Sequence, residues 1–176
     1  MRAWQVTELG QPAELTLLTD PIPRQGQALI EVAACGLNHA DLLMQSGRYQ
    51  ERPPLPYIPG LEVAGTIIAL GPDTTGPRIG TRVAAFVGSG GLAQRVAVDT
   101  ARVTPLPDAI DFSTAAATQI AYGTSHLALI HRAKLRAGET VLVLGAAGGV
   151  GLTAVEIAKS VGARVIASAR GRARLA

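Results

Sequence analysis

The sequence predicts two domains of different class: a β-rich barrel, then the start of a parallel α/β domain. Two observations carry this. Before about residue 110 the chain alternates short apolar runs with glycine and proline punctuation, the pattern of a small or partly open barrel. Later, Val141 to Leu144 lead into Gly145-Ala146-Ala147-Gly148-Gly149-Val150-Gly151, then a helical pattern and a second apolar run. Strand, glycine turn, helix and strand form the βαβ unit of a dinucleotide-binding fold.

Each element has its own signal. Ala3 to Thr7 and Leu15 to Leu18 read as strands around the turn Gly10-Gln11-Pro12. Asp20-Pro21-Ile22-Pro23 is a stiff connector. Residues 27–34 alternate, with Ala28, Ile30, Val32 and Ala34 on one face. Asn38 is placed to cap a helix from Ala40 to Gln45, which Gly47 closes. The proline-rich stretch from Pro53 to Gly60 must be a loop. Leu61 to Leu70 is apolar on both faces and should be a central strand. Arg82 to Val87 and Gln94 to Val98 are two more strands, joined hairpin-fashion by Gly88-Ser89-Gly90-Gly91. Pro105 to Asp108 is a connector, and Asp111 can cap one helix running from Phe112 to His131. Lys134 to Glu139 turns into the glycine-loop strand.

The second domain follows the same logic. From Leu152 to Val161 a helix is expected, with Val150, Ala154, Ile157, Ala158 and Val161 on one stripe. Gly162 ends it, and Ala163 to Ala167 is the second strand. Residues 1–124, including the linking helix, form the first domain, and 125–176 the first βαβ unit. A parallel sheet needs cover on both faces. One βαβ unit cannot supply it, so the chain reads as truncated.

The glycines have a chemical reading. A helix N-terminus offers free N–H groups and a dipole that favours an anion, so a pyrophosphate can sit there. A side chain on the turn would hold it away. Ala147, Gly148, Gly149, Val150 and Gly151 are therefore candidate cofactor contacts. The spacing of Gly145, Gly148 and Gly151 is G-x-x-G-x-x-G, not the common G-x-G-x-x-G. Tight packing of helix on strand is the competing explanation for these glycines. The end of the second strand decides between cofactors. NAD-selective sites place an acid about 20 residues past the loop. Here no acid follows Glu156, and Ser168, Arg170 and Arg172 stand in that region. A hydroxyl and guanidinium groups suit a 2′-phosphate. NADPH is the expected cofactor, against the alternative of a solvated basic tail.

Composition narrows the function classes. Hydrophobic residues make up 48% and charged residues 16%, which supports a packed core and argues against disorder. Net charge is only +3 and aromatics are 3%, so nucleic-acid binding is not expected. Cys35 is the only cysteine, which excludes an intrachain disulfide and any multi-cysteine metal site. His39, His126 and His131 lack ligand spacing to one another. The N-terminus has no signal-peptide core and no apolar run is long enough to cross a bilayer. No membrane partner is expected, and cytoplasm is the default location.

Several motifs together resemble the quinone oxidoreductase branch of the medium-chain dehydrogenase/reductase superfamily, over roughly the first half of a member. Gly36-Leu37-Asn38-His39-Ala40-Asp41 with Gly47-Arg48-Tyr49 is similar to its G-x-N-x-x-D and G-x-Y. Pro59-Gly60-Leu61-Glu62-Val63-Ala64-Gly65 is similar to P-G-x-E-x-x-G. Gly80-Thr81-Arg82-Val83 resembles G-D-R-V with threonine for the acid, and Gly145 to Gly151 resembles G-A-A-G-G-V-G.

The resemblance implies a GroES-like β-barrel catalytic domain followed by the start of a Rossmann domain. It also implies an NADPH-dependent oxidoreductase that passes hydride to a quinone or α,β-unsaturated carbonyl. Zinc alcohol dehydrogenases have a cysteine and a histidine ligand where this chain has Asn38 and Leu61, so the reaction is expected to be zinc-independent. By resemblance Asn38 and Tyr49 are the catalytic candidates and Thr124 a cofactor contact. Asn38 as a helix cap and Tyr49 as a packing residue remain the alternatives. The family's arginine four residues after the aspartate is Gln45 here. For the complete protein the family suggests a homodimer. A non-catalytic nucleotide- or RNA-binding relative, or an inactive truncated product, are the other functional readings.

Overall fold

The computed structural model describes residues 1–171. They fall into two compact units, Met1–Gln119 and the residues from Ile120 onward. The first unit holds strands β1 (Arg2–Gln5), β2 (Glu14–Leu17), β3 (Gln27–Gly36), β4 (Glu62–Leu70), β5 (Arg82–Phe86), β6 (Arg95–Asp99) and β7 (Val103–Pro105). It also holds helices α1 (His39–Gln45) and α2 (Phe112–Ala116). Strands β1 and β2 pair with each other, and the other five form an antiparallel sheet in the order β6-β3-β4-β5-β7.

The alternation read from residues 27–34 explains the core. Ala28 and Ile30 of β3 lie on one sheet face with Val63, Ile67, Val83, Ala85, Val96 and Val98. β4 is apolar on both faces because the sheet is covered on both. Ala64 and Ala84 point the other way and meet Ala115 and Ala116 of α2, with Phe112 beside them. Alanines at this contact let the helix lie close to the sheet, and burying the larger side chains opposite supplies the main driving force.

Two expectations for this unit are corrected. The run Gly88 to Gly91 does not make a hairpin. β5 pairs with β4 and β7, whereas β6 pairs with β3, so two strands lie between them. The glycine run bonds instead to the proline loop: Gly90, Gly91 and Leu92 donate to the carbonyls of Ile58, Gly60 and Pro59. The single helix over Phe112 to His131 is broken. α2 ends at Ala116, and a new helix α3 (Ala121–His126) starts in the second unit. Ala117 and Thr118 donate three residues back, and the Thr118 hydroxyl also bonds to the Ala115 carbonyl at 2.8 Å. That tight turn with side-chain back-bonding ends α2. β7 is a short strand that the sequence reading does not assign, and it meets the expected connector only at Pro105.

The second unit comprises α3, a π-helical turn (Leu127–Arg132), β8 (Thr140–Leu144), α4 (Gly149–Ser160) and β9 (Arg164–Ser168). β8 and β9 pair in parallel, with Val141 opposite Val165 and Leu144 opposite Ser168. α4 packs on both strands, burying Ala158 as the strands bury Val143. It begins at Gly149, three residues before the expected Leu152. Val150, expected on its buried stripe, is 44% exposed, and Thr153 is buried instead. Leu142, Leu144 and Ile166 are exposed on the described pair. No helix among the described residues is long and apolar enough to cross a membrane.

Candidate functional site

In the second unit the chain leaves β8 through Gly145, whose φ is +69°. Gly148 is the N-cap of α4 with extended backbone. Ala146 N–H donates to the Ser168 carbonyl at 3.0 Å, tying the turn to the end of β9. Gly151 holds the helix against this turn. A Cβ there would lie 2.2 Å from the Gly145 oxygen and 2.8 Å from the Ala146 Cα. This glycine is needed for close packing, whichever ligand the turn holds.

Around the turn is a cavity of about 350 Å³ lined by Gly145, Ala147, Gly148, Ser168, Ala169 and Arg170. Four sequence-derived cofactor residues, Ala147, Gly148, Ser168 and Arg170, thus share one wall. Gly149, Val150 and Gly151 form the first turn of α4 and do not line it. Thr124 is exposed on α3 and does not line it either. Arg172 lies outside the described residues. Gly145, the first glycine of the loop motif, also lines it, and Ala169 is a lining residue that the sequence does not single out.

The cavity suits an NADP-type cofactor. The start of a 12-residue helix presents N–H groups that have no intrahelical acceptor. A hydroxyl and a guanidinium stand about one strand-end away, both on exposed residues. The residues present are of the right kind to hold a pyrophosphate at the turn and a 2′-phosphate at Ser168 and Arg170.

Behind the loop, a polar pair fixes α4 to α3. Ser125 Oγ donates to the Val150 carbonyl at 2.8 Å, and Thr153 Oγ1 donates to the Ala121 carbonyl at 3.0 Å. The two hydroxyls are 2.8 Å apart and both residues are buried. They hold the first turn of α4 in place. Sequence reading missed both. The available signal was a hydroxyl residue on the inner stripe of each helix.

The first unit carries the other constellation, and it joins two motifs. Asp41 is buried. Its Oδ2 accepts the Asn38 N–H at 2.8 Å, which closes the first turn of α1. Its Oδ1 accepts the Gly60 N–H at 3.0 Å, across 19 residues of sequence. Asn38 Nδ2 donates to Glu62 Oε1 at 2.7 Å, and Glu62 is itself buried. The G-x-N-x-x-D segment is therefore bolted to the P-G-x-E segment at two points. Gly60 must be glycine: its φ is +97°, and a Cβ would lie 2.7 Å from both Cys35 Sγ and the Leu92 nitrogen.

These contacts settle where Asn38 points. Its amide faces Glu62, which fixes the rotamer and leaves a second N–H donor. Tyr49 is half-buried just beyond α1, with its N–H on the Leu43 carbonyl. The Cys35 thiol is pushed up to about 12, first by burial and then by the negative charges of Asp41 and Glu62. It is an inert neighbour of the cluster and no nucleophile. Among the described residues no group of three or more His, Cys, Asp or Glu could hold a metal ion.

Residues 24–108 match the alcohol dehydrogenase GroES-like domain. The quinone oxidoreductase of Pongo abelii is 45% identical over 173 residues, 96% of this chain and 53% of that protein. Over nearly its whole length the chain is similar to quinone oxidoreductases. It spans about half the length of the curated relatives it matches. Among solved structures, the quinone oxidoreductase of Thermus thermophilus, solved also with NADPH, superposes with a TM-score of 0.88 at 41% identity. That match covers 99% of this chain and 55% of the other. A mycobacterial protein solved with NADPH gives a TM-score of 0.90 at 32% identity, over 99% of this chain and 55% of its own. The residues matched to the GroES-like domain lie within the first unit.

Proposed function

We propose that this chain belongs to an NADPH-dependent, zinc-independent oxidoreductase that reduces quinones or α,β-unsaturated carbonyls. The observation that carries the proposal is the shared cavity of Gly148, Ser168 and Arg170. A helix start suited to a pyrophosphate and a hydroxyl–guanidinium pair suited to a 2′-phosphate line one cavity, which supports the reading. The NADPH complexes of the homologous Thermus thermophilus and mycobacterial proteins support it.

The bound dinucleotide would supply the hydride. The chain's residues supply position. The turn at Gly148 and the first turn of α4 bind the pyrophosphate, while Ser168 and Arg170 select the phosphorylated ribose. The Ser125–Thr153 pair holds α4 in register. In the first unit, Glu62 and Asp41 fix Asn38, whose remaining amide N–H donates to the oxygen that gains charge as the acceptor is reduced. Tyr49 helps orient that acceptor. An amide and a leucine at Asn38 and Leu61 give a zinc ion no adequate ligand pair, so the oxyanion is stabilised by hydrogen bonds. Thr124, on α3, is assigned to the cofactor side, and the same reading includes a cytoplasmic homodimer for the complete protein.

The test is NADPH oxidation followed at 340 nm, on the protein at its natural length, with a simple benzoquinone and a simple enone. Turnover with either acceptor that falls at least tenfold in Asn38→Ala, with NADPH affinity retained, supports the proposal. No turnover with both acceptors, or an Asn38→Ala variant of unchanged kcat, overturns it.

A further inference from the structure

His126 and His131 are five residues apart. On a regular α-helix that spacing turns two side chains roughly 140° away from each other, which is why the sequence shows no ligand pair. The structure differs. His126 ends α3, and Leu127–Arg132 is a π-helical turn. Its wider winding, with Ala133 N–H donating five residues back to the Ala128 carbonyl at 2.9 Å, brings the fifth residue over the first. The two imidazole centres are 5.1 Å apart with their planes at 64°. Both residues are exposed.

We propose that His126 and His131 form a two-histidine chelate for a late divalent transition-metal ion, with zinc as the representative. Two imidazoles bound to one tetrahedral zinc through nitrogens about 2.0–2.1 Å away hold their ring centres roughly 5 Å apart. The observed separation meets that requirement. π turns are rare and concentrate at functional positions, and here the π winding is what aligns the pair. Imidazole favours zinc, copper and nickel over hard cations. The remaining coordination positions go to water. Arg132 beside the pair adds positive charge, so the affinity is modest. This pair is in the second unit and is separate from the ligand positions that Asn38 and Leu61 occupy in the first.

The test is isothermal titration of the 176-residue chain with zinc chloride at pH 7.5, with magnesium chloride as the hard-cation control. One saturable zinc site is expected and none for magnesium. The site should vanish in His126→Ala and in His131→Ala, and persist in His39→Ala. Circular dichroism checks that each variant is folded. If an alanine variant unfolds, His126→Gln and His131→Gln make the same comparison. Absence of saturable zinc binding, or a site that survives loss of either histidine, overturns the proposal.

Discussion

Gly148 and Gly151 sit three residues apart in one loop, yet they should fail in opposite ways when replaced by alanine. At Gly151 the new Cβ would be 2.2 Å from a backbone oxygen and 2.8 Å from a backbone Cα. Neither atom can swing aside. Restoring contact distance means moving the helix start by roughly 1 Å. Overpacking of that kind costs about 1–3 kcal/mol, and here backbone is the obstacle, which favours the upper end. Alanine recovers about 1 kcal/mol of helix propensity. The net expectation for Gly151→Ala is a loss of about 1–2 kcal/mol, seen as a urea midpoint lowered by roughly 0.5–1 M. Gly148 differs. Its φ is −88° and ψ 165°, which any residue adopts, and its Cβ would meet only the Gly145 oxygen at 3.4 Å. Gly148→Ala should unfold within about 0.5 kcal/mol of wild type and still lose NADPH affinity, because it lines the cavity. Paired urea melts by far-UV circular dichroism and NADPH titrations separate the two. The reasoning is refuted if Gly151→Ala melts like wild type, or if Gly148→Ala destabilises the chain as much as Gly151→Ala does.

Three other outcomes follow from the first unit. Asp41→Ala strips the acceptor from two N–H groups, those of Asn38 and Gly60. At about 1–3 kcal/mol for the buried Gly60 N–H and about 1 kcal/mol for the half-buried Asn38 N–H, stability should fall by roughly 2–4 kcal/mol in denaturant melts; a loss below about 1 kcal/mol contradicts the clamp. Tyr57 is buried and its hydroxyl has no partner among the described residues. Tyr57→Phe should therefore leave stability equal or higher, and a loss above about 1 kcal/mol would show a hidden partner. Cys35, raised from 9.0 to about 12, should resist iodoacetamide at pH 8 until the chain is unfolded. Because the folded form holds this proton more tightly, its contribution to stability is complete below pH 9.0 and is lost as pH rises towards 12. Rapid alkylation of the folded chain at pH 8 would refute the burial.

The local features were legible in the sequence. The glycine loop, its helix and its flanking strands are contiguous, so one window of residues 141–168 contains the whole unit. β3 and β4 were equally clear from alternation and from a run apolar on both faces. What failed was non-local. Nothing around Gly88 to Gly91 tells that β6 crosses to the far side of β3, because that is decided by hydrogen bonds to Ile58, Pro59 and Gly60. The break after Ala116 is a tight turn at Ala117 and Thr118 reinforced by the Thr118 hydroxyl, which helical periodicity does not register. Asn38 and Tyr49 are candidates by resemblance, whereas the Glu62 contact that orients the Asn38 amide spans 24 residues and has no local signal. The histidine pair was hidden because sequence spacing assumes α-helical winding.

The most direct measurement of the central claim is the ratio of NADPH to NADH affinity, by nicotinamide fluorescence, for the wild-type chain and for Arg170→Ala. Selective binding of NADPH, with the preference eroded at least tenfold in the variant, is the predicted result. Equal affinity for the two cofactors in the wild type, or a preference that Arg170→Ala leaves intact, would contradict the assignment of the Gly148, Ser168 and Arg170 cavity to a 2′-phosphorylated dinucleotide.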